Sequence, residues 1–167
     1  LIYISPRMTN AWYARYYEVE YRAQMARFKG KALTPQDNAT LFKKATQHGR
    51  TLASHLRDHW SRGLTVEVGS SVGGVLNGIR EEIGVDVLGI EPSPDETAEA
   101  NRQGIKTHCA SIESFNEPIP PASNILCSQS LNHFLDPRYF FEWSHRHLVD
   151  GGKLVLEVMN FRHVFRH

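Results

Sequence analysis

The stretch Val66-Glu67-Val68-Gly69-Ser70-Ser71-Val72-Gly73-Gly74 leaves an apolar run, makes a glycine-containing turn and enters a helical pattern. A bare backbone at Gly69 or Gly73 lets N–H groups and the start of a helix approach a ligand that a side chain would hold away. A tight strand-to-helix turn with no ligand has the same local signature, so the neighbouring sequence must decide between them.

Downstream, short apolar runs alternate with helical segments. Strands are predicted at Leu64 to Val68, Val85 to Ile90, Lys106 to Cys109, Ile125 to Cys127 and Lys153 to Val158. Helices are predicted at Val72 to Ile83, Pro94 to Gln103 and Pro137 to Leu148, which gives an α/β order with a parallel sheet and right-handed crossovers. The stretch Asn116 to Ala122, with Pro118, Pro120 and Pro121, reads as a loop before the fourth strand.

Upstream, Asn10 to Arg62 reads as helical. Tyr13, Tyr16, Tyr17 and Tyr21 stand close together, and a break follows at Gly30. Thr34-Pro35-Gln36-Asp37 has the order of a helix start, with Thr34 as N-cap and Pro35 in the first turn. A long amphipathic helix then carries Leu41, Phe42, Ala45, Gly49, Leu52, Ala53, Leu56 and Trp60 on one stripe and ends at Gly63. The division expected is an N-terminal helical extension or lid over residues 1–62 and a ligand-binding core over 63–167.

The 167 residues fit one compact unit, and 41% hydrophobic with 22% charged residues excludes disorder. The sequence has no apolar run of membrane-spanning length and no leader pattern at its start, which predicts a cytoplasmic protein without a membrane partner. A formal charge of +1 gives no broad field to draw a nucleic acid. Cys109 and Cys127 lie in strand-like contexts without a C-x-x-C pair, and buried free thiols are expected.

Glu91 ends the second strand in Val87-Leu88-Gly89-Ile90-Glu91-Pro92-Ser93. Two carboxylate oxygens match the two vicinal hydroxyls of a ribose, so an acid there implies an adenosine-containing ligand. A dinucleotide fold wants G-x-G-x-x-G at the first turn, but Glu67 stands where its first glycine should be. A pyrophosphate is disfavoured beside that carboxylate, which weakens an oxidoreductase reading.

With these residues in register, the chain resembles the class I S-adenosylmethionine-dependent methyltransferases, whose first motif is E/D-x-G-x-x-x-G followed by an acid ending the second strand. The resemblance runs from about Leu64 to Phe161. It includes Gly104-Ile105, Ala110-Ser111-Ile112-Glu113, Leu131-Asn132-His133-Phe134-Leu135-Asp136-Pro137 and Leu148-Val149-Asp150-Gly151-Gly152-Lys153-Leu154. It implies a Rossmann-like, doubly wound, mainly parallel sheet of the seven-stranded methyltransferase type, here stopping after strand five, so a truncated sheet is expected.

The resemblance also implies the cofactor S-adenosyl-L-methionine and its contacts. Gly69, Ser70 and Gly73 would surround the methionine part, Glu67 would lie near its amino group, and Glu91 with Pro92 would take the ribose. Ser111, Ile112 and Glu113 would cup adenine, with Ser111 standing where many relatives have Asp. Ser128 and Gln129 would border the transferred methyl. His133, after the fourth strand, is the candidate catalytic base; the competing reading is that it packs or caps the next helix.

Strand four ends in Ser128-Gln129-Ser130 rather than the D/N-P-P-Y/F run of enzymes acting on adenine or amide nitrogens. The acceptor expected is an O or C atom of a small molecule of sugar, lipid or natural-product type, a class also suggested by the ending Leu154 to Phe161. The alternative is a non-catalytic methyltransferase-like subunit for binding or assembly, and an oligomer is left open. The four tyrosines serve either a lid or helix packing. His48, His55 and His59 share one helix flank, and His163 with His167 forms a second pair, but neither set carries the ligands of a metal site and none is expected.

Overall fold

The computed structural model describes residues 9–28, 30 and 35–158. The proposed cap at Thr34 and the pair His163 and His167 lie outside them, as does the end of the final strand phrase beyond Val158. The core is a five-stranded sheet in the order β3-β2-β1-β4-β5, with every pairing parallel. Its strands are β1 (Thr65–Val68), β2 (Val87–Glu91), β3 (Thr107–Cys109), β4 (Ala122–Ser128) and β5 (Leu148–Glu157). The chain order reverses between β1 and β4, which opens a crevice at the carboxyl ends of the strands.

All four residues of β1 are buried, since this strand has neighbours on both edges and helices on both faces. On one face Val66, Val68, Ile90, Ile125 and Cys127 pack with Phe140 and Trp143 of α6 (Pro137–His147). On the other, Leu126 and Val85 meet Ile79 of α4 (Gly74–Ile83) and Ala53 of α3 (Pro35–His55). Ser93 caps α5 (Pro94–Arg102) by accepting from the Glu96 N–H, and Asp136 caps α6 by accepting from the Arg138 N–H.

Helices α3 and α4 touch along glycines. A Cβ on Gly74 would lie 2.5 Å from Ala45 Cβ and 2.6 Å from the Phe42 carbonyl oxygen. One on Gly78 would run into the Thr46 carbonyl, and one on Gly49 into that of Val75. Ahead of α3 lie α1 (Asn10–Arg15), a π-helical turn at Tyr16–Glu20 and α2 (Tyr21–Phe28).

Several boundaries differ from those expected. The long helix ends at His55 and a 3₁₀ turn follows at Arg57–His59, because the chain turns back to bury Trp60, whose indole N–H donates to Thr65. Helix α4 starts at Gly74 rather than Val72, after Gly73 in the left-handed region at φ +76°. Strand β2 begins two residues later than expected and takes in Glu91, and β4 begins at Ala122, directly after the prolines.

Helix α6 ends at His147, and Leu148 already pairs with Ala122. The β4–β5 register then shifts before Asn124 meets Lys153, with Gly151 at φ +74° inside the irregular stretch. Cys127 is buried as expected and its thiol is pushed up to about 12, chiefly by burial. Cys109 is exposed, because β3 is a three-residue edge strand that ends there. No helix of the described residues is long and apolar enough to cross a membrane.

Candidate active site

A cavity of 880 Å³ fills the crevice at the strand ends and is roofed by the N-terminal helices. This volume falls within the roughly 300–1,000 Å³ of ligand clefts. From β1 and the turn after it come Glu67, Gly69, Ser70 and Ser71; from β2 and its exit come Glu91, Pro92 and Ser93. The β3 exit gives Ser111, Ile112 and Glu113, and the β4 exit gives Ser128, Gln129 and His133.

Glu67 is fully buried in mid-strand, and its Oε2 has no hydrogen-bond partner among the described residues; the same holds for Ser70 Oγ. Burial, and next the charges of Glu91 and Glu157, push the Glu67 carboxyl well above the usual range. Orphaned polar atoms in a cavity wall are rare and call for a ligand or water. Ser70 Oγ fits there because residue 89 is glycine, whose missing Cβ would otherwise meet it.

Glu91 is held from both sides: Oε2 accepts from the Ser71 N–H at 2.8 Å and Oε1 from the Ser93 N–H at 2.9 Å. Those bonds orient the carboxylate and leave further lone pairs for ligand hydroxyls. Its carboxyl is pushed up to about 7, first by burial and then by Glu96, against the pull of these two N–H groups and of Arg22.

The two motif glycines differ in role. Gly69 lines the cavity at φ +78°, and a Cβ there would lie 2.7 Å from Ser130, a residue of this chain rather than a ligand. Gly73 is not among the lining residues. A Cβ on it would press on Ile105 and Ala100 at 3.0 and 3.1 Å, so its bareness serves the packing of α4. Ser111 turns to Ser114, accepting from its N–H at 3.3 Å with the two hydroxyls 3.1 Å apart. Glu113 lines the cavity, and its Oε1 accepts from the N–H groups of Leu135 at 3.0 Å and Asp136 at 3.4 Å.

Beyond β4, Gln129 adopts φ +55°, unusual for a side-chain-bearing residue, and its N–H donates to the Glu157 carbonyl. The Glu157 carboxylate gathers Ser128 Oγ, Gln129 Nε2 at 3.3 Å and His48 Nε2 at 2.9 Å. His48 thus has a carboxylate partner, whereas His55 and His59 are exposed. No cluster of three or more His, Cys, Asp or Glu among the described residues could hold a metal ion.

His133 lies in a 3₁₀ turn, with Nδ1 2.8 Å from the Tyr17 hydroxyl and its ring against Tyr17 and Tyr21 at 5.2 and 5.4 Å. It does not cap α6, a task that falls to Asp136. Burial lowers its pKa below the usual histidine value, which favours a neutral imidazole. Tyr17 is pushed far up, first by burial and then by a hydrogen bond with Tyr13, and stays a neutral phenol.

Sequence reasoning missed Arg22, which also lines the cavity, and its partner Glu96; Glu157 was passed over too. These pairings join residues far apart in the chain, and only the run of tyrosines at 13, 17 and 21 marked the neighbourhood.

The fold is similar to solved methyltransferase structures. The plantazolicin methyltransferase BpumL in complex with SAH superposes with a TM-score of 0.60 at 18% identity, covering 82% of this chain and 53% of that one. Streptomyces venezuelae DesVI gives 0.64 at 20%, covering 80% and 61%. The sugar N-methyltransferase KedS8 from Streptoalloteichus sp. gives 0.57 at 21%, covering 95% and 59%. The chain therefore spans less than two thirds of the length of these structures. No curated protein sequence matches it. The model of the family described as "Methyltransferase domain" matches residues 13–166, nearly the whole sequence, and with the sheet order and the cavity at its switch point in place, the chain belongs to that methyltransferase family.

Proposed function

We propose that the chain is the cofactor-binding part of an S-adenosylmethionine-dependent methyltransferase that acts on an oxygen or carbon atom of a small molecule of sugar, lipid or natural-product type. The observation that carries this reading is the pair of orphaned buried atoms, Glu67 Oε2 and Ser70 Oγ, in the same cavity wall as the Glu91 carboxylate. A cationic ligand with an amino group and a ribose suits that donor and acceptor set, and a pyrophosphate does not. When bound, S-adenosylmethionine supplies an electrophilic methyl group on sulfur.

In this reading Glu67, Gly69 and Ser70 take the methionine end and Glu91 with Pro92 takes the ribose. Ser111 and Ile112 flank the base, and Ser128 and Gln129 border the reacting end. Gly73 shapes the pocket from behind, and Glu113 lines it beside Ser111 and Ile112. We assign the His133 proton to Nδ1, donated to Tyr17, whose own hydroxyl proton points to Tyr13; Nε2 is then free to accept a proton from the acceptor. The chief contribution of the cavity is alignment of that acceptor behind the methyl carbon. Action in the cytoplasm agrees with the free thiols of Cys109 and Cys127, and a near-balanced charge agrees with a small-molecule rather than a nucleic-acid partner.

Calorimetric titration with S-adenosylmethionine and S-adenosylhomocysteine, with NAD as control, tests the reading. Binding of the first two alone is the expected result. A folded protein that binds neither would shift the assignment to a non-catalytic methyltransferase-like subunit.

A further inference from the structure

The N-terminal helices reach the ribose end of the cavity through Arg22. Its Nε lies 2.9 Å from Glu96 Oε1, and its Nη1 donates to Asn38 Oδ1 at 2.6 Å. Only 18% of the Arg22 side chain and 10% of that of Glu96 are exposed, so this is a sheltered pair whose charges depend on each other. Glu96 stands in the first turn of α5, immediately beyond Glu91 and its Ser93 partner.

Around Glu91 lie Glu67 from β1, Cys109 from β3, Glu96 from α5, and Tyr21 and Arg22 from α2. Helix α3 brings Asp37 and Lys44 to the same cavity. Among the described residues the cation whose charge acts on Glu91 is Arg22, more weakly than the Ser93 and Ser71 N–H groups, and it comes from the roof rather than from the sheet.

Resting on the cofactor reading above, we propose that Arg22 is a positioning residue through which docking of the N-terminal helix tunes cofactor affinity: paired with Glu96 at 2.9 Å, it offsets that charge beside Glu91 and so favours the form of Glu91 that accepts the ribose hydroxyls. The balance is fine, because burial and Glu96 hold the Glu91 carboxyl at about 7 even with Arg22 in place. A carboxylate with two fixed N–H bonds accepts the hydroxyls best when charged, so affinity rises as pH increases through that value.

The test is S-adenosylhomocysteine titration by calorimetry between pH 6 and 9, paired with ¹³C carboxyl NMR of Glu91 without ligand. In Arg22→Gln the Glu91 midpoint rises, and affinity near pH 6.5 falls by about tenfold for each unit of midpoint displacement, with most of the loss recovered at pH 9. In Glu96→Gln the midpoint falls. The double variant falls between the two single variants, because removing the anion offsets the removal of the cation.

A loss in Arg22→Gln that is equal at every pH, or that Glu96→Gln does not offset, overturns the proposal and leaves Arg22 a packing residue. Where Arg22→Gln does not fold, an unmoved Glu91 midpoint in Glu96→Gln overturns it instead. Absence of S-adenosylhomocysteine binding by the native chain overturns the cofactor reading itself, a result distinct from an unmoved Glu91 titration.

Discussion

The Tyr17 hydroxyl lies 2.8 Å from Nδ1 of His133, joining the N-terminal helix to the turn after β4. The proposed base thus has one ring nitrogen engaged, and its residue lines the cavity. His133→Ala is therefore expected to lower kcat by about 10²- to 10⁴-fold with S-adenosylhomocysteine affinity unchanged. Tyr17→Phe should lower it less, about tenfold, since the imidazole remains but loses its orientation. Because burial lowers the His133 pKa, native activity should persist below the usual histidine range and fall only as pH drops through the lowered value. A pH profile of kcat at saturating S-adenosylmethionine, which removes the effect of Glu91 on affinity, checks this, and an acid limb at or above 6.5 would assign the base elsewhere.

Glu91 accepts two backbone N–H bonds and is read as the ribose ligand. Glu91→Ala should weaken S-adenosylhomocysteine by about a hundredfold, in line with roughly 1.5–3 kcal/mol for a hydrogen bond to a charged group. Circular dichroism must show a retained fold. Unchanged affinity in a folded variant would remove the ribose role.

Glu67 links stability to pH with a definite sign. Its folded carboxyl is raised, so between the unfolded value of 4.5 and the folded one the native state holds a proton that the unfolded chain has released. The ligand-free protein thus loses stability as pH rises through that window, and Glu91 acts in the same direction up to about 7. Glu67→Gln should raise the Tm at pH 8 and flatten its decline between pH 5 and 8. A Tm that rises with pH in the native protein and is lowered by the substitution would contradict the buried, protonated carboxyl.

The α3–α4 contact gives a prediction that does not depend on chemistry. Gly78→Ala forces a methyl against the Thr46 carbonyl, a backbone group that cannot rotate away. A loss of about 1–3 kcal/mol, as for overpacked cores, is expected in urea unfolding. Gly84→Ala, where the added Cβ meets nothing within 4 Å but φ is +76°, should cost less, about 1 kcal/mol.

The parallel sheet was legible because strands buried on both faces read as short apolar runs, and the helices between them carry their own caps at Ser93 and Asp136. Glu67, Gly69 and Glu91 were legible because the turn chemistry is local. Element edges were less so. β5 begins within what reads as the end of a helix, since pairing of Leu148 with Ala122 outweighs the local preference. Cys109 looked buried because an edge strand has the same composition as a central one. The contacts Tyr17 to His133, Arg22 to Glu96 and His48 to Glu157 could not be seen at all: each depends on the fold bringing distant segments together, and no spacing rule encodes that.

Where α3 crosses α4, the separation is set by main-chain atoms meeting at Gly49, Gly74 and Gly78, and no rotamer can take up a change there. That contact behaves as a surveyor's benchmark. The Arg22 bond to Asn38 carries the same datum up to the tyrosines, so the aromatic roof and the carboxylates below it are levelled from one point. Residues 35–83 thus form a fixed chassis, and the segment at 10–28 is registered to it through that bond.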